Sequence, residues 1–307
     1  PNLTWAISQD GTLTVAGLGA MDEYGSGEAP WYANRSQIRK LVVKKGVTYI
    51  GQHAFYGLTN LTEASLADTV SFINEYAFSG CTSLRHVTLP AGLAVLKAST
   101  FYECSSLASI SLPASLRRIE NSVFYKCLSL VEANIPDSVI SMGTNAFYGC
   151  KSLARVHLPA GLKSVADSAF GSCVSLSRIL IPNGVTKIGD SAFWGCSGLA
   201  EIALPDTLTS IGSSAFSGCY SLSDVHFAGS ATVWQNNVSV NNNYSGNSYF
   251  NAARRHYSSA PDWTETWLGE NLVTEPAPAE GALASDTCGP NLTWAISQDG
   301  TLTVAGL

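Results

Sequence analysis

The chain has 307 residues and a net charge of −6, and 46% of its residues are hydrophobic while only 13% are charged. This composition supplies material for a core and excludes disorder along the whole chain. The acidic balance argues against binding of nucleic acid, and no apolar run approaches the ~18–20 residues that would insert across a bilayer.

The N-terminal segment predicts a cap that begins with a β-hairpin. In residues 1–18, LTWAI and TLTVA alternate polar and apolar side chains around the turn signal Asp10-Gly11. Residues 19–30 are rich in glycine and acidic side chains and predict a loop. Residues 31–43 look like half of a repeat, so we expect residues 1–43 to form the N-terminal cap.

Residues 44–227 repeat with a period of 23 residues over eight units. Each unit carries a phenylalanine, a cysteine three residues later and a leucine three residues after that, except that Leu58 replaces the first cysteine. The predicted structural ladders are Phe55, Phe78, Phe101, Phe124, Phe147, Phe170, Phe193 and Phe216, with Cys81, Cys104, Cys127, Cys150, Cys173, Cys196 and Cys219.

A fixed period of this length with recurring leucines indicates a leucine-rich-repeat solenoid, because stacked units bury the apolar side that one unit leaves exposed. The segment L-x-x-V-x-L-P alternates in polarity and predicts a short strand. The rest of each unit predicts short helical or 3₁₀ turns, sometimes with a second strand. The predicted fold class is therefore a repeat solenoid, mainly β, with eight 23-residue coils between N- and C-terminal caps.

The cysteines have two interpretations. Their number invites a disulfide framework. One cysteine per coil favours a buried, reduced column instead, because neighbouring Cβ vectors would run parallel, which is poor geometry for a disulfide. Such a column does not form a tetrahedral metal site, and the histidines lie in different coils. Asp22, Glu23 and Glu28 lack the spacing of a calcium loop, which favours a solvated loop. No nucleophile or acid–base motif occurs, so we expect no metal, no cofactor and no catalytic residue.

After Phe227 the period ends. Residues 228–257 predict a degenerate coil that caps the C-terminal end, and residues 258–287 predict a semi-extended linker. Residues 290–307 are identical to residues 1–18, so residues 288–307 predict the start of a second N-terminal cap. Two explanations of this identity stay open: the start of a second, tandem module, or an overlap introduced at the ends of the fragment by cloning or sequence assembly. The role of Cys288 also stays open.

Units such as ADTVSFINEYAFSGCTSLRHVTL and PDTLTSIGSSAFSGCYSLSDVHF resemble the BspA-like leucine-rich-repeat family of bacterial cell-surface proteins. The Ala-Phe pair, the following cysteine, the strand segment and the unbroken spacing carry this resemblance over residues 44–227. The resemblance implies an extracellular module for adhesion or interaction, located at the bacterial cell surface, with no catalytic residues.

The strand positions that point out of the core vary from coil to coil, and this face is where we expect a protein or glycan of the host or cell surface to bind. A solvated face without a ligand is the alternative. Two further interpretations make the chain a structural stalk in a larger surface protein or an accessory domain of a secreted enzyme. The candidate ligand-binding residues are Glu132, Arg155, His157, Arg178, Leu180, Glu201, Asp224 and His226.

Overall fold

A computed structural model describes residues 2–242 and 246–258 with their side chains, and the backbone of three further strands after residue 281. The chain divides into two compact units, residues 1–260 and residues 261–307.

The regular secondary structure of the first unit is almost entirely short strands, which are joined by turns. A 3₁₀ helix spans Tyr32–Asn34, α1 spans Ala231–Asn237 and α2 spans Ser248–Ala252. The strands are, in chain order, β1 (Asn2–Ile7), β2 (Thr12–Ala20), β3 (Lys40–Val43), β4 (Val47–Ile50), β5 (Glu63–Leu66), β6 (Phe72–Ile73), β7 (His86–Thr88), β8 (Val95–Leu96), β9 (Arg118–Ile119), β10 (Glu132–Asn134), β11 (Ser141–Met142), β12 (Arg155–His157), β13 (Ser164–Val165), β14 (Arg178–Leu180), β15 (Lys187–Ile188), β16 (Glu201–Leu204), β17 (Ser210–Ile211), β18 (Asp224–Phe227), β19 (Ser239–Val240) and β20 (Arg254–Tyr257).

These strands form two parallel series, as a leucine-rich-repeat solenoid requires. The hairpin strand β2 starts both series, because Thr12–Val15 pairs with β3 and the Gly19–Ala20 end pairs with β4. Strands in successive coils pair in a register of one repeat, for example Arg178 with Glu201. The first series is interrupted at the third coil, where residues 109–111 form no strand.

The turns between the strands are not 3₁₀ helices within the described coils. Each coil instead places two residues in the left-handed region, at the position two before the phenylalanine and at the position two after it. Glycine fills the second position in five coils, but Lys126 occupies it at φ 54°. Two left-handed residues so close together stop a helix from propagating, which keeps this part of the coil a sequence of turns.

The phenylalanines form one stacked aromatic column inside the solenoid. Trp31 starts the column and Phe250 ends it, and the ring centroids of successive members lie 4.5–5.8 Å apart. Each phenylalanine before Phe216 also donates its backbone N–H to a backbone carbonyl in the next coil, as Phe147 does to Ala169 at 2.8 Å. Side-chain stacking and backbone bonding therefore act at the same point of every coil.

The seven cysteines of the coils are free thiols, and all are buried beside this column. Each Sγ donates a hydrogen bond of 3.0–3.3 Å to the carbonyl of the phenylalanine in the preceding coil. Burial raises the pKa of Cys81 and Cys219 to about 12, so these thiols stay protonated and can donate. The cysteine column is thus a hydrogen-bonding element as well as an apolar one.

At the C-terminal end, the side chain of Asn247 takes the place of a backbone carbonyl. Its Oδ1 accepts the N–H of Phe216 at 3.0 Å, in place of the backbone carbonyl that accepts this bond in the earlier coils. Its Nδ2 donates to the carbonyls of Gly212 and Asn241, and the residue is fully buried. The stacked ring of Phe250 covers the aromatic column at the same level.

The second unit contains a three-stranded antiparallel sheet, β21 (Ala282–Gly289), β22 (Leu292–Ser297) and β23 (Leu302–Gly306). The linker predicted for residues 258–287 therefore overlaps a strand and is corrected at its C-terminal end, because β21 is held by backbone pairing to β22. Residues 259–281 lie outside the described residues, and Cys288 lies in β21, where no side chain is described.

We predict that Phe147→Ala lowers the free energy of unfolding by about 3–5 kcal/mol, because it leaves a cavity in the column between two stacked rings. The matched control is the next residue, Tyr148→Ala, whose ring is only half buried and stacks on Tyr125 at 5.2 Å. Its cost should be about 1 kcal/mol. Denaturant titration of both variants measures the difference, and equal costs would refute the column as the core.

We predict that Asn247→Ala destabilises the C-terminal end by about 1–3 kcal/mol, because the buried N–H of Phe216 and the carbonyl of Gly212 lose their partner. The amide of Phe216 should exchange with deuterium faster than in the parent protein, while the amide of Phe147 keeps its rate. Asn247→Asp retains an acceptor for Phe216 and should recover only part of the loss. An unchanged Phe216 exchange rate would contradict this role.

Candidate ligand-binding face

The candidate face is made by the residues on either side of the buried middle residue in the strands of the first series. We call the residues before that middle position the outer row and the residues after it the inner row. Register pairing places Glu132 beside Arg155 in the outer row. Further along, Arg178 pairs with Glu201, and Glu201 with Asp224. Neighbouring side chains in a row are separated by about one strand spacing, roughly 4.8 Å.

The structure does not bring all the predicted outer-row residues into one sheet. β10 pairs only with β12, and a separate four-stranded sheet runs β14-β16-β18-β20. The break falls between Arg155 and Arg178, which are not register partners. The two guanidinium groups therefore belong to different sheets and have different surroundings.

Most of the charges in the second of these sheets are paired. Arg178 Nη2 lies 3.5 Å from Glu201 Oε1. Asp224 Oδ1 lies 2.7 Å from His256 Nε2 and 3.8 Å from Arg254 Nη1. Among residues 2–242 and 246–258, Arg155 is different, since no carboxylate lies within ion-pair distance of this exposed side chain even though Glu132 is its register partner.

The inner row is less exposed than the sequence predicts. Leu180 is half buried and not the exposed apolar spot that the pattern suggests, and its neighbour Ala203 is buried. Ala203 pairs with Leu180 on one side and His226 on the other, and these larger side chains flank it. His157 is half buried and lies 3.7 Å from Asp137, whereas the earlier inner-row residues Thr88 and Asn134 are exposed.

Hydrogen bonds hold the acidic residue Glu23 of the cap loop against the first coils. Its carboxylate accepts from the Tyr49 hydroxyl, the Gln52 N–H and the Asn74 amide. Burial alone would raise the pKa of Glu23, but these hydrogen bonds outweigh it and the pKa is lowered. Asp22 and Glu28 do not join this cluster, and among the described residues no group of three acidic, histidine or cysteine side chains is placed to hold a metal ion.

The sequence matches a repeat profile described as BspA type Leucine rich repeat region, in six copies, over residues 29–151 and 118–245. These ranges together cover more than half of the chain, in the same region as the aromatic column and the candidate face. The chain belongs to the BspA-type leucine-rich-repeat family. No curated protein matches the sequence.

Solved structures of bacterial leucine-rich-repeat proteins are similar to this BspA-type chain. A leucine-rich repeat protein from Bacteroides ovatus is 23% identical, with a TM-score of 0.53 over 74% of this chain and 70% of its own. The Treponema protein described as T. pallidum Leucine Rich Repeat protein is 26% identical, covering 84% of this chain and 97% of its own, with a TM-score of 0.49. The similarity to the Bacteroides protein shows the fold alone.

The sheet that carries part of the candidate face includes two residues that sequence reasoning missed, Arg254 and His256. They belong to β20, which pairs with β18 so that Arg254 lies beside Asp224 and the ring of His256 stacks on His226 at 4.4 Å. The segments 224–227 and 254–257 both end in histidine followed by an aromatic residue. Their spacing is 30 residues and not 23, which hides the correspondence from a search for a fixed period.

Helices in the described part of this BspA-type chain are all too short or too polar to cross a membrane.

We predict that Asp224→Asn lowers the thermal midpoint at pH 7, because it weakens the contacts that join β18 to β20. Hydrogen bonds from His256 and Ser223 and the charge of Arg254 hold the pKa of Asp224 below its ordinary value of 3.8. The stabilisation is therefore present above the unfolded-state pKa and is lost as the pH falls through the lower folded-state pKa.

The difference in thermal midpoint between Asp224→Asn and the parent protein should accordingly shrink from pH 7 to pH 3. Asp206→Asn, at an exposed position outside the contact, removes the same charge and is the control. A difference that stays constant with pH would show that the carboxylate does not make this contribution.

Proposed function

We propose that this chain is an extracellular binding module of a bacterial surface protein that recognises a protein or glycan, with adhesion as its biological role. The observation that carries the proposal is the exposed guanidinium of Arg155, which lies on the sheet face next to Glu132 without an ion-pair partner among the described residues. Leucine-rich repeats of this family generally serve as binding scaffolds, which supports a role without catalysis in this chain.

An unpaired arginine on a sheet face is suited to recognise a planar anionic group. Its guanidinium offers a fixed fork of donors that matches a carboxylate in two parallel hydrogen bonds. Arg178 is less available, because Glu201 lies 3.5 Å from it. We therefore expect the ligand to present a carboxylate, from an acidic side chain or an acidic sugar, close to Arg155.

The neighbouring strands supply a rigid frame for this contact. Val156, the middle residue of β12, is buried in the core, and its packing restrains the backbone of the neighbouring residue Arg155. A ligand group then meets a side chain on an ordered strand, which reduces the entropy lost on binding. Arginines in such positions frequently carry a large share of the binding free energy.

We predict that Arg155→Glu weakens ligand binding by at least about tenfold, because a carboxylate in place of the guanidinium repels the acidic group of the ligand. The full chain is screened against host matrix proteins, mucins and a glycan array, and each hit is titrated with both proteins. Arg118→Glu makes the same charge change at an exposed position in the second strand series and should keep the parent affinity. Arg155→Lys retains the positive charge but loses the paired guanidinium donors, so we expect it to weaken binding less than Arg155→Glu does.

A hit that Arg155→Glu weakens and Arg118→Glu does not supports the proposed face. A hit that both variants weaken equally indicates general attraction to an acidic surface, and a hit that neither weakens moves the site to the caps or the turns.

A structural stalk is the second candidate function. The observation that favours it is the repeated hairpin sequence, which adopts the same strand register in both units, with Leu3 opposite Gly17 and Leu292 opposite Gly306. A spacer built from consecutive modules requires no ligand, so the absence of any hit in the screen would favour this function over binding.

A further inference from the structure

The two copies of the hairpin sequence have different neighbours. In the second unit, β22 lies in the middle of its sheet, with β23 on one edge and β21 on the other. The strand with the same sequence in the first unit, β1, pairs with β2 on one edge. Within residues 2–242 and 246–258, no strand pairs with the other edge of β1.

The hairpins are otherwise equivalent at the backbone. Thr4 lies opposite Ala16 in the first copy, and Thr293 lies opposite Ala305 in the second. The edge of β22 that binds β21 therefore has the same sequence and the same hairpin register as the outer edge of β1. There, Ser285 lies opposite Ala295, which corresponds in sequence to Ala6 of β1.

The outer edge of β1 lacks the features that protect an edge strand from pairing. The segment NLTWAI contains no charged residue and no proline, and the side chain of Trp5 is 40% exposed. Proteins normally block a free edge with lysine, proline or a bulge, since its N–H and C=O groups otherwise pair with another strand. A depression of about 420 Å³ lies at one face of β1, lined in part by Trp5, Ile7, Asn34 and Gln37.

We propose that the outer edge of β1 is a docking site for a second copy of the strand Ala282–Gly289. Backbone hydrogen bonds would supply most of the affinity, as in other cases where an extended segment adds to a sheet edge. Pairing in the register of β21 on β22 places the counterpart of Ser285 opposite Ala6 and the counterpart of Asp286 opposite Trp5. Each hairpin of this sequence then becomes the middle of a three-stranded sheet.

The test adds the octapeptide ALASDTCG directly before Pro1 of the full chain, in the order in which it stands before Pro290. The cysteine of the added copy is replaced by serine to prevent oxidation. Tethering keeps the added strand at an effective concentration of about millimolar near β1, so a weak intrinsic affinity is sufficient. Amide hydrogen exchange of Asn2–Ile7 and Leu292–Ser297 is followed by NMR, which distinguishes the two identical sequences by assignment.

We expect outer-edge amides of β1 to exchange at least about tenfold more slowly in the extended chain, with a higher thermal midpoint. The amides of β22 serve as an internal reference and should not change, because β21 already pairs with that strand. A control extension carries the equivalents of Ser285→Pro and Thr287→Pro and should give no protection, since proline cannot donate to a ladder.

Unchanged exchange in β1 would overturn the proposal, and so would equal protection by the native and proline-containing extensions. None of these results depends on Arg155, so failure of this inference is distinguishable from failure of the proposed binding function.

Discussion

The first unit depends on one arrangement, the placement of each phenylalanine so that its ring and its backbone N–H both engage the next coil. Rings at centroid distances of 5.1–5.8 Å fill the interior, while the N–H of each phenylalanine before Phe216 bonds a backbone carbonyl one coil ahead. The cysteine thiol bonds back to the carbonyl of the phenylalanine in the preceding coil, for example Cys150 to Phe124 at 3.1 Å. Because these contacts join residues at fixed sequence separations, an insertion inside a coil would displace all of them, which explains the unbroken period.

The same constraint separates the interior from the surface in chemical terms. Interior positions accept little variation, since a change of shape is transmitted to the rings on both sides. The outward positions of the strands have no such neighbours and carry different charges in successive coils. Arg155 and Arg178 hold equivalent positions, yet only Arg178 has a carboxylate of the following coil within ion-pair distance. The scaffold thus fixes the positions of the outward side chains, and the identity of the outward residues determines the charge of the surface.

The family and the solenoid were predictable from the sequence, and both predictions are confirmed. Repetition made this possible, because a residue that recurs every 23 positions must serve the same contact in each coil. The capping residues were not predictable in the same way. Asn247 occurs once in this role, and its side-chain oxygen replaces a backbone carbonyl as the acceptor for Phe216. Nothing in the sequence indicates that this acceptor changes. Trp31 also stands outside the phenylalanine series, although it occupies the equivalent place in the column.

The candidate face was predictable only as a list of positions. Alternation along each strand shows which residues leave the core, but it does not show how far neighbours bury them. Leu180 illustrates this limit, since it points out of the strand and is nevertheless half buried. The pairing of Asp224 with Arg254 and His256 depends on a strand that lies 30 residues after β18, and a search with a period of 23 residues does not find it.

The two ends of the solenoid satisfy the same requirement by different means. Stacking leaves the last member of every ladder without a neighbour, and this applies to rings, to backbone donors and to strand edges. At the C-terminal end Phe250 covers the rings, Asn247 satisfies a donor and the charged strand β20 is the last strand of its sheet within residues 2–242 and 246–258. At the N-terminal end Trp31 covers the rings, but the sheet ends in β1, which carries no charge. A charged strand discourages further pairing and an uncharged one permits it, so the chemistry of the two edge strands differs at the two ends of the described sheet series.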